Sequence, residues 1–204
     1  MKKNFLSYLV KYLRLPVRSL KNLFLSIINS SSKPKRISKD MDLDLLIVST
    51  GGVATTTLIN YFKLYKKVND ENDKDGYKHL NKFPFIFKEN LKILYIYGNY
   101  EKIYNSLKRR NIFQSQMVKL GCPLCYLLRG SIERFFFKFC INKQIKEFRS
   151  KKNVYALKFE NIWENKEELK RFLEIDNNDF VKNFPLKKIR RGGRVVEGAR
   201  LESV

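Results

Sequence analysis

Residues 43–57, with the sequence LDLLIVSTGGVATTT, decide the fold of this chain. Leu43–Ser49 is a nearly continuous apolar run, which is typical of a strand that is buried on both faces of a parallel sheet. Gly51 and Gly52 allow a tight turn, because glycine adopts backbone conformations that other residues avoid. Apolar residues then recur at helical spacing over Thr55–Lys67. The stretch therefore predicts a buried strand, a tight turn and a helix, in that order.

Two further segments repeat the strand pattern downstream. Lys92–Tyr97 and Asn153–Phe159 are short and apolar, and a predicted helix over Glu101–Leu120 and another over Ser131–Arg149 lie between them. Strands that alternate with helices indicate an α/β fold. We therefore expect a three-layer open parallel sheet that contains all three strands, with the first two adjacent.

The helix predicted over Ser131–Arg149 carries an aromatic face. Its members are Ile132, Phe135, Phe136 and Phe139. Ser131 is the expected N-cap, because a serine side chain can accept a hydrogen bond from the first turn. Two short terminal helices are predicted over residues 167–173 and 179–184.

Composition and charge limit the class of protein. The chain has 204 residues, of which 44% are hydrophobic, so it is long and apolar enough for one folded domain. It carries 42 Lys and Arg against 20 Asp and Glu, a formal net charge of +22. This excess implies an anionic partner.

The three cysteines are too few for a disulfide framework, so a cytoplasmic location is expected. Cys122 and Cys125 have the spacing of a redox or metal motif, but only Cys140 and His79 could complete a four-ligand site. We interpret the cysteines as ordinary thiols and expect no metal.

Residues 1–39 form a basic extension before the domain predicted over residues 40–190. They contain ten Lys or Arg and no acid, and their apolar residues follow helical spacing on both sides of Pro16. This pattern predicts one kinked or two short amphipathic helices. Two interpretations stay open: membrane contact through residues 1–30, or a helical extension that packs on the domain and exposes a basic face. The second is favoured, because amphipathic helices mostly face a core.

The last segment, residues 191–204, differs from everything before it. It contains no Lys, Asn, Ile, Phe or Tyr, the residues that dominate the rest of the chain. We interpret it as a tail of foreign coding origin that takes no part in the fold; the alternative is an ordinary basic tail.

The glycine-rich turn has the properties of a phosphate-binding loop. Successive N–H groups converge where glycines tighten the backbone, and the following helix N-terminus adds partial positive charge. The expected binding residues are Gly51, Gly52, Val53, Ala54, Thr55 and Thr56. No Lys-Ser/Thr pair follows the glycines, so the loop is not a Walker A motif. The alternative is a tight turn with threonine caps.

Three segments together resemble the sulfotransferase family. Ala54–Leu58 lies on the ending of the family's 5′-phosphosulfate loop, Gly-Thr-Thr-Trp-Leu. Leu94–Tyr100, followed by Ser106 on a helix, resembles the 3′-phosphate motif. Val154–Ile162 resembles the late strand that ends in Tyr-Glu-Asp-Leu, and a Phe-Leu pair at residues 172–173 follows it. The resemblance spans residues 43–185, with the motifs in the family's order.

The resemblance implies a P-loop-like strand, loop and helix, and a transfer reaction. The donor would be 3′-phosphoadenosine 5′-phosphosulfate, bound by residues 51–56 and by Ser106 at its 3′-phosphate. The acceptor would be a hydroxyl of a carbohydrate or small molecule. His79, the only histidine, lies in a segment that partly matches the family's Lys-Thr-His and would be the catalytic base. The alternative is a surface histidine beside an acidic loop.

The chain departs from the family where cations usually bind phosphate. Gly52 and Val53 stand where the family has Lys or Arg, and Gly98 stands where it has the Arg of the 3′-phosphate motif. Compensation by Lys102, Arg109 or Arg110 is one expectation. The other is a non-catalytic basic α/β protein that binds a nucleotide, nucleic acid or an anionic membrane surface. Nucleic acid is disfavoured, because no RNA-binding signature is present and the charge is spread along the chain.

Overall fold

A computed structural model describes residues 17–38, 40–86, 88 and 90–185. The expectations for residues 1–16 and for the tail at 191–204 lie outside these ranges. Within them the chain is a mixed α/β structure whose parallel sheets are open rather than closed. None of the helices described there has the length and apolar character needed to cross a membrane.

Five strands form two small parallel sheets. The strands are β1 (Arg36–Ile37), β2 (Leu45–Ser49), β3 (Phe85–Ile86), β4 (Lys92–Tyr97) and β5 (Val154–Lys158). Strands β2, β4 and β5 form one sheet in the order β2-β4-β5, with Ser49 beside Ile96 and Tyr97 beside Lys158. The prediction of three parallel strands in one sheet, the first two adjacent, is confirmed. The separate β1-β3 pair was not predicted, because two residues per strand carry no periodicity.

Seven α-helices lie within the described ranges. They are α1 (Val17–Ser31), α2 (Thr55–Phe62), α3 (Tyr100–Arg109), α4 (Phe113–Leu120), α5 (Gly130–Arg149), α6 (Lys166–Leu173) and α7 (Asp179–Lys182). Short 3-10 turns occupy Pro123–Tyr126 and Phe159–Asn161.

Two helix predictions need correction. The single helix predicted over Glu101–Leu120 is two helices, α3 and α4, separated at Asn111, whose φ of 54° is left-handed. Asparagine tolerates this conformation better than most residues, so the chain can turn there. Ser131 is not the N-cap of α5, because that helix begins at Gly130 with Arg129 as its cap.

The three-stranded sheet separates two apolar clusters. Along β2, Leu45 and Ile47 belong to one cluster, and Leu46 and Val48 belong to the other. The first cluster contains residues of helices α2 to α7. The second contains Phe148 at the end of α5 and loop residues around β1 and β3. Helical packing therefore concentrates on one face of the sheet.

The outer edge of β2 is covered by the segment of residues 67–78. The Asn69 side chain replaces a strand there: its Oδ1 accepts from Ile47 N at 2.7 Å, and its Nδ2 donates to Ile47 O at 3.1 Å. At the end of the strand, Ser49 N donates to Lys78 O at 2.8 Å. These bonds place residues 78 and 79 beside the loop that follows β2.

Candidate functional site

The loop between β2 and α2 turns through three left-handed residues. Gly51, Gly52 and Ala54 have φ angles of 83°, 73° and 48°. Helix α2 then begins at Thr55 with no side-chain cap at its first turn. The predicted tight turn into a helix is thus present, and its uncapped N-terminus has the polarity that favours an anion.

Ser49 organises the base of this loop. Its buried hydroxyl oxygen accepts from Gly51 N at 3.3 Å and from the Thr55 hydroxyl at 2.8 Å. Because the Thr55 hydroxyl already donates to Ser49, a ligand would meet Thr55 through its backbone rather than through its hydroxyl. The sequence did not predict this role for Ser49, because a serine at the end of a strand is not a recognisable motif.

Close packing requires glycine at Gly51 and disfavours a side chain at Gly98. A Cβ added at Gly51 would lie 2.6 Å from Nε2 of Gln116, which donates to Thr50 O at 3.3 Å. A Cβ added at Gly98 would lie 3.0 Å from Cγ1 of Val53, so Val53 would have to shift slightly. The loop is therefore held against α4.

Three N–H groups of the loop have no acceptor. Among residues 17–38, 40–86, 88 and 90–185, nothing accepts a hydrogen bond from the backbone N of Gly52, Val53 or Ala54. Gly52 and Ala54 are exposed, whereas Val53 is buried, and buried backbone donors are almost always paired with protein, water or ligand. A tetrahedral anion could accept from several of them at once.

Lys78 brings a cation to the same loop from a distant part of the chain. Its Nζ donates to the Thr56 hydroxyl at 2.7 Å and to Glu71 O at 2.6 Å, and the residue is only 7% exposed. Burial lowers the pKa of this amine. Within the described part of the chain the ammonium forms no ion pair.

Arg110 and Ser106 approach the loop from α3. A Cβ at Gly52 would lie 3.6 Å from Nη2 of Arg110 and 3.3 Å from Cγ2 of Ile103. Ser106 lies between residues 103 and 110 on the same side of the helix, because residues three and four apart are neighbours on a helix surface. The structure thus brings one of the expected compensating cations, Arg110, next to Gly52, and Ser106 lies on the same side of α3. Another, Lys102, instead lies 3.9 Å from Glu160 Oε1.

His79 is joined to the loop through Ser49. Its Nδ1 lies 3.1 Å from Ser49 O and 3.4 Å from Ser49 Oγ. A carbonyl oxygen can only accept, so this network assigns the ring proton to Nδ1 and leaves Nε2 as an acceptor. Burial lowers the pKa of His79 to about 4, so the imidazole is neutral near pH 7.

An open pocket of about 200 Å³ lies beside His79. Asp73 and Lys119, which form an ion pair, line it together with His79, and Lys33 and Lys35 stand at the same pocket. Lys119 is one turn from Gln116 on α4, so the pocket adjoins the side of α4 that contacts the loop. A hydroxyl-bearing acceptor would find polar and cationic partners there.

Two buried polar atoms at this edge of the sheet have no partner among the described residues: Thr50 Oγ1, after β2, and Glu160 Oε2, after β5. The other oxygen of Glu160 accepts from Asn99 N at 3.2 Å. Asn99 in turn caps α3, since its Oδ1 accepts from the N–H groups of Glu101 and Lys102. The ends of β4 and β5 are therefore tied together beside the loop.

Among the described residues, the cysteines do not form a metal site. All three are free thiols, with Cys122 and Cys125 buried and Cys140 half-buried. In the part of the chain that the structure describes, no group of three or more His, Cys, Asp or Glu residues is arranged to hold a metal.

Comparison of the chain with protein-family models, with curated proteins and with solved structures finds no match in any of the three.

Proposed function

We propose that the protein is a sulfotransferase-like enzyme with a P-loop-like strand, loop and helix. It binds 3′-phosphoadenosine 5′-phosphosulfate at residues 51–56 and transfers the sulfuryl group to a hydroxyl acceptor of a carbohydrate or small molecule. The observation that carries the proposal is the buried Lys78 ammonium, which lies at the N-terminus of α2 without an ion-pair partner in the described residues.

This arrangement concentrates positive charge in one place. The N-terminus of a helix is itself partly positive, and burial weakens the screening of the ammonium by water. A bound phosphate or sulfate would relieve both effects. Lys78 and Arg110 thereby take the place of the cations that are absent at Gly52, Val53 and Gly98.

The chain offers separate contacts for the two ends of such a donor. The N–H groups of Gly52, Val53 and Ala54, with Lys78, suit the phosphosulfate end. Ser106 and Arg110 suit the 3′-phosphate. When bound, the donor supplies the sulfuryl group and leaves as the 3′,5′-bisphosphate.

His79 accepts the proton that the acceptor hydroxyl loses. Its Nδ1 is committed to Ser49 O, so the proton goes to Nε2. A neutral imidazole is the form that can act as a base. The pocket that His79 lines with Asp73 and Lys119 holds the acceptor.

Calorimetric titration with 3′-phosphoadenosine 5′-phosphate tests the role of Lys78. In Lys78→Met the apolar stem is kept and the charge is lost, so the dissociation constant should rise roughly tenfold to hundredfold, as expected for a charge-assisted contact. Lys74→Met, an exposed change in the same loop, is the matched control and should bind like the wild type. Equal affinity of the two variants, with both folded by circular dichroism, would overturn the proposal.

A further inference from the structure

Helix α1 packs on the domain through its polar side. The fully buried Ser26 donates from its hydroxyl to Met117 O at 3.3 Å, and Asn29 Nδ2 donates to Val118 O at 2.8 Å. Amphipathic helices of soluble domains usually bury the apolar side instead. The apolar residues that α1 leaves exposed are Leu20, Phe24, Leu25, Ile27 and Ile28, with Phe24 64% exposed.

Helix α5 carries apolar residues on two sides, and one of them is exposed. Its buried side includes Phe137 and Ile141. The aromatic face predicted from the sequence points the other way: Ile132, Phe135 and Phe139 are exposed, the two phenylalanines by 64% and 59%. Their spacing of three and four residues makes them one stripe.

The 3-10 turn at Pro123–Tyr126 joins these two helices. It packs against both α1 and α5, and Leu124 and Leu127 are exposed beside it. An open pocket of about 290 Å³ is lined by Ser30 of α1, Leu124 of the turn and Phe139 of α5. Nine of the thirteen large apolar side chains that are exposed in the described residues lie on these three elements, and a tenth, Leu127, directly follows the turn. We call these ten residues the apolar surface.

The charges around the apolar surface are mostly positive. Lys21 on α1 and Lys138, Lys143 and Lys146 on α5 are exposed. Of the two carboxylates of α5, Glu133 is buried and pairs with Lys108 at 2.5 Å, and Glu147 lines the pocket but accepts from Phe83 N at 2.7 Å. Helix α1 contains no acid, and neither does the rest of residues 1–39.

We propose that this apolar surface docks the protein on a membrane that contains anionic lipids. The exposed phenyl and aliphatic side chains enter the boundary between headgroups and acyl chains, and the surrounding lysines contact acidic headgroups. Charge favours lipid over a second copy of the chain, because two copies of +22 each would repel. The surface extends from α1 to the turn and α5, and the proposal is independent of the nucleotide site.

Co-sedimentation of the full chain with lipid vesicles tests this proposal. Wild type should bind phosphatidylcholine vesicles that contain phosphatidylserine and bind pure phosphatidylcholine vesicles much less. The double variant Phe24→Ser, Phe139→Ser should lose roughly tenfold or more in vesicle affinity, because two inserted phenyl groups are removed. Lys146→Gln should lose about fivefold, the usual effect of one basic residue at such a surface.

Leu64→Ser is the matched control, since Leu64 is an exposed apolar residue outside the surface, and it should bind as the wild type does. Three results would overturn the proposal. They are no binding to either vesicle, equal binding by the double variant, and equal binding to neutral and acidic vesicles. A fourth result would assign the surface to a second copy of the chain. Light scattering would then show a wild-type dimer that the double variant dissociates, and no vesicle binding would be seen.

Discussion

Burial has different consequences for two adjacent residues, Lys78 and His79. It lowers the pKa of both side chains, because the charged form of each loses hydration. Lysine starts far above neutrality, so the amine at position 78 can stay charged while it donates to Thr56 and Glu71. Histidine starts near neutrality, so His79 becomes a neutral acceptor. One edge of the sheet thus holds a buried amine and a neutral imidazole side by side.

Replacement of His79 should separate binding from catalysis. His79→Ala should leave the affinity for 3′-phosphoadenosine 5′-phosphate unchanged and reduce turnover by roughly 10²–10⁴-fold, the usual contribution of a general base. The measurement is sulfuryl transfer to hydroxyl acceptors, with Lys74→Met, an exposed change outside the pocket, as the control. Full turnover in His79→Ala would exclude it as the base. No turnover in the wild type, with the nucleotide bound, would favour the non-catalytic alternative.

The lowered pKa of His79 should also make the free energy of unfolding depend on pH. In the unfolded chain the imidazole protonates near pH 6.5, whereas in the folded protein it protonates at about 4. Between these values the unfolded state binds more protons, so the free energy of unfolding falls as the pH falls. The expected loss from His79 is about 2 kcal/mol between pH 7 and about pH 5. Urea unfolding of the wild type and of His79→Gln measures it, and a loss of the same size in both would contradict the assignment.

Substitution of Gly51 tests whether close packing requires glycine in the loop. In Gly51→Ala the new methyl group would meet the buried amide of Gln116, and the left-handed backbone would be strained. The free energy of unfolding should drop by about 1–3 kcal/mol, and nucleotide affinity should fall with it. Gly130→Ala is the control: its φ of 65° is also left-handed, but nothing lies within 4 Å of the added Cβ. If Gly51→Ala costs no more stability than Gly130→Ala, close packing is not what requires glycine in the loop.

At the scale of elements, the edge of β2 depends on one side chain. Asn69→Ala would leave the buried N–H and C=O of Ile47 without the partners that the amide provides. The free energy of unfolding should fall by about 1–3 kcal/mol, the usual cost of unsatisfied buried groups. Asn72→Ala, an exposed change in the same loop, should have little effect. Chemical denaturation compares them, and equal stability would show that Asn69 does not complete the edge.

Elements with strong periodicity could be predicted from the sequence. The apolar runs of β2, β4 and β5 and the helical spacing of α5 identify their type within a few residues. The break at Asn111 was missed, because apolar residues recur at helical spacing on both sides of it and no proline or glycine lies between them. Periodicity also shows that the aromatic residues of α5 share a face, but not that this face is exposed, since tertiary packing decides which side is buried.

Only part of the candidate site could likewise be predicted from the sequence. Glycine, threonine and the following helix predict the loop over residues 50–56 from local chemistry alone. Lys78 and Arg110 reach it from residues that are 22 and 54 positions beyond Thr56. Their approach depends on how the segment along β2 and the C-terminus of α3 pack, and one sequence does not specify this.

At the scale of the whole molecule, the two proposals meet at the end of α1. Asn29 lines the pocket beside His79, and Ser30 lines the pocket of the apolar surface. The proposals can still be tested separately, because vesicle binding requires no nucleotide and nucleotide binding requires no lipid. The net charge of +22 suits both, since each ligand is anionic.

The most direct test of the central claim is a thermal-shift titration of the full chain with 3′-phosphoadenosine 5′-phosphate, with adenosine as the control without phosphate. A ligand that binds only the folded state stabilises it by about 2.7 kcal/mol at a hundredfold excess over the dissociation constant. For a chain of this length that corresponds to a rise in Tm of roughly 5–10 °C. We predict this rise for the bisphosphate and none for adenosine. An unchanged Tm at millimolar bisphosphate would contradict a nucleotide site at residues 51–56, and with it the proposed transfer reaction.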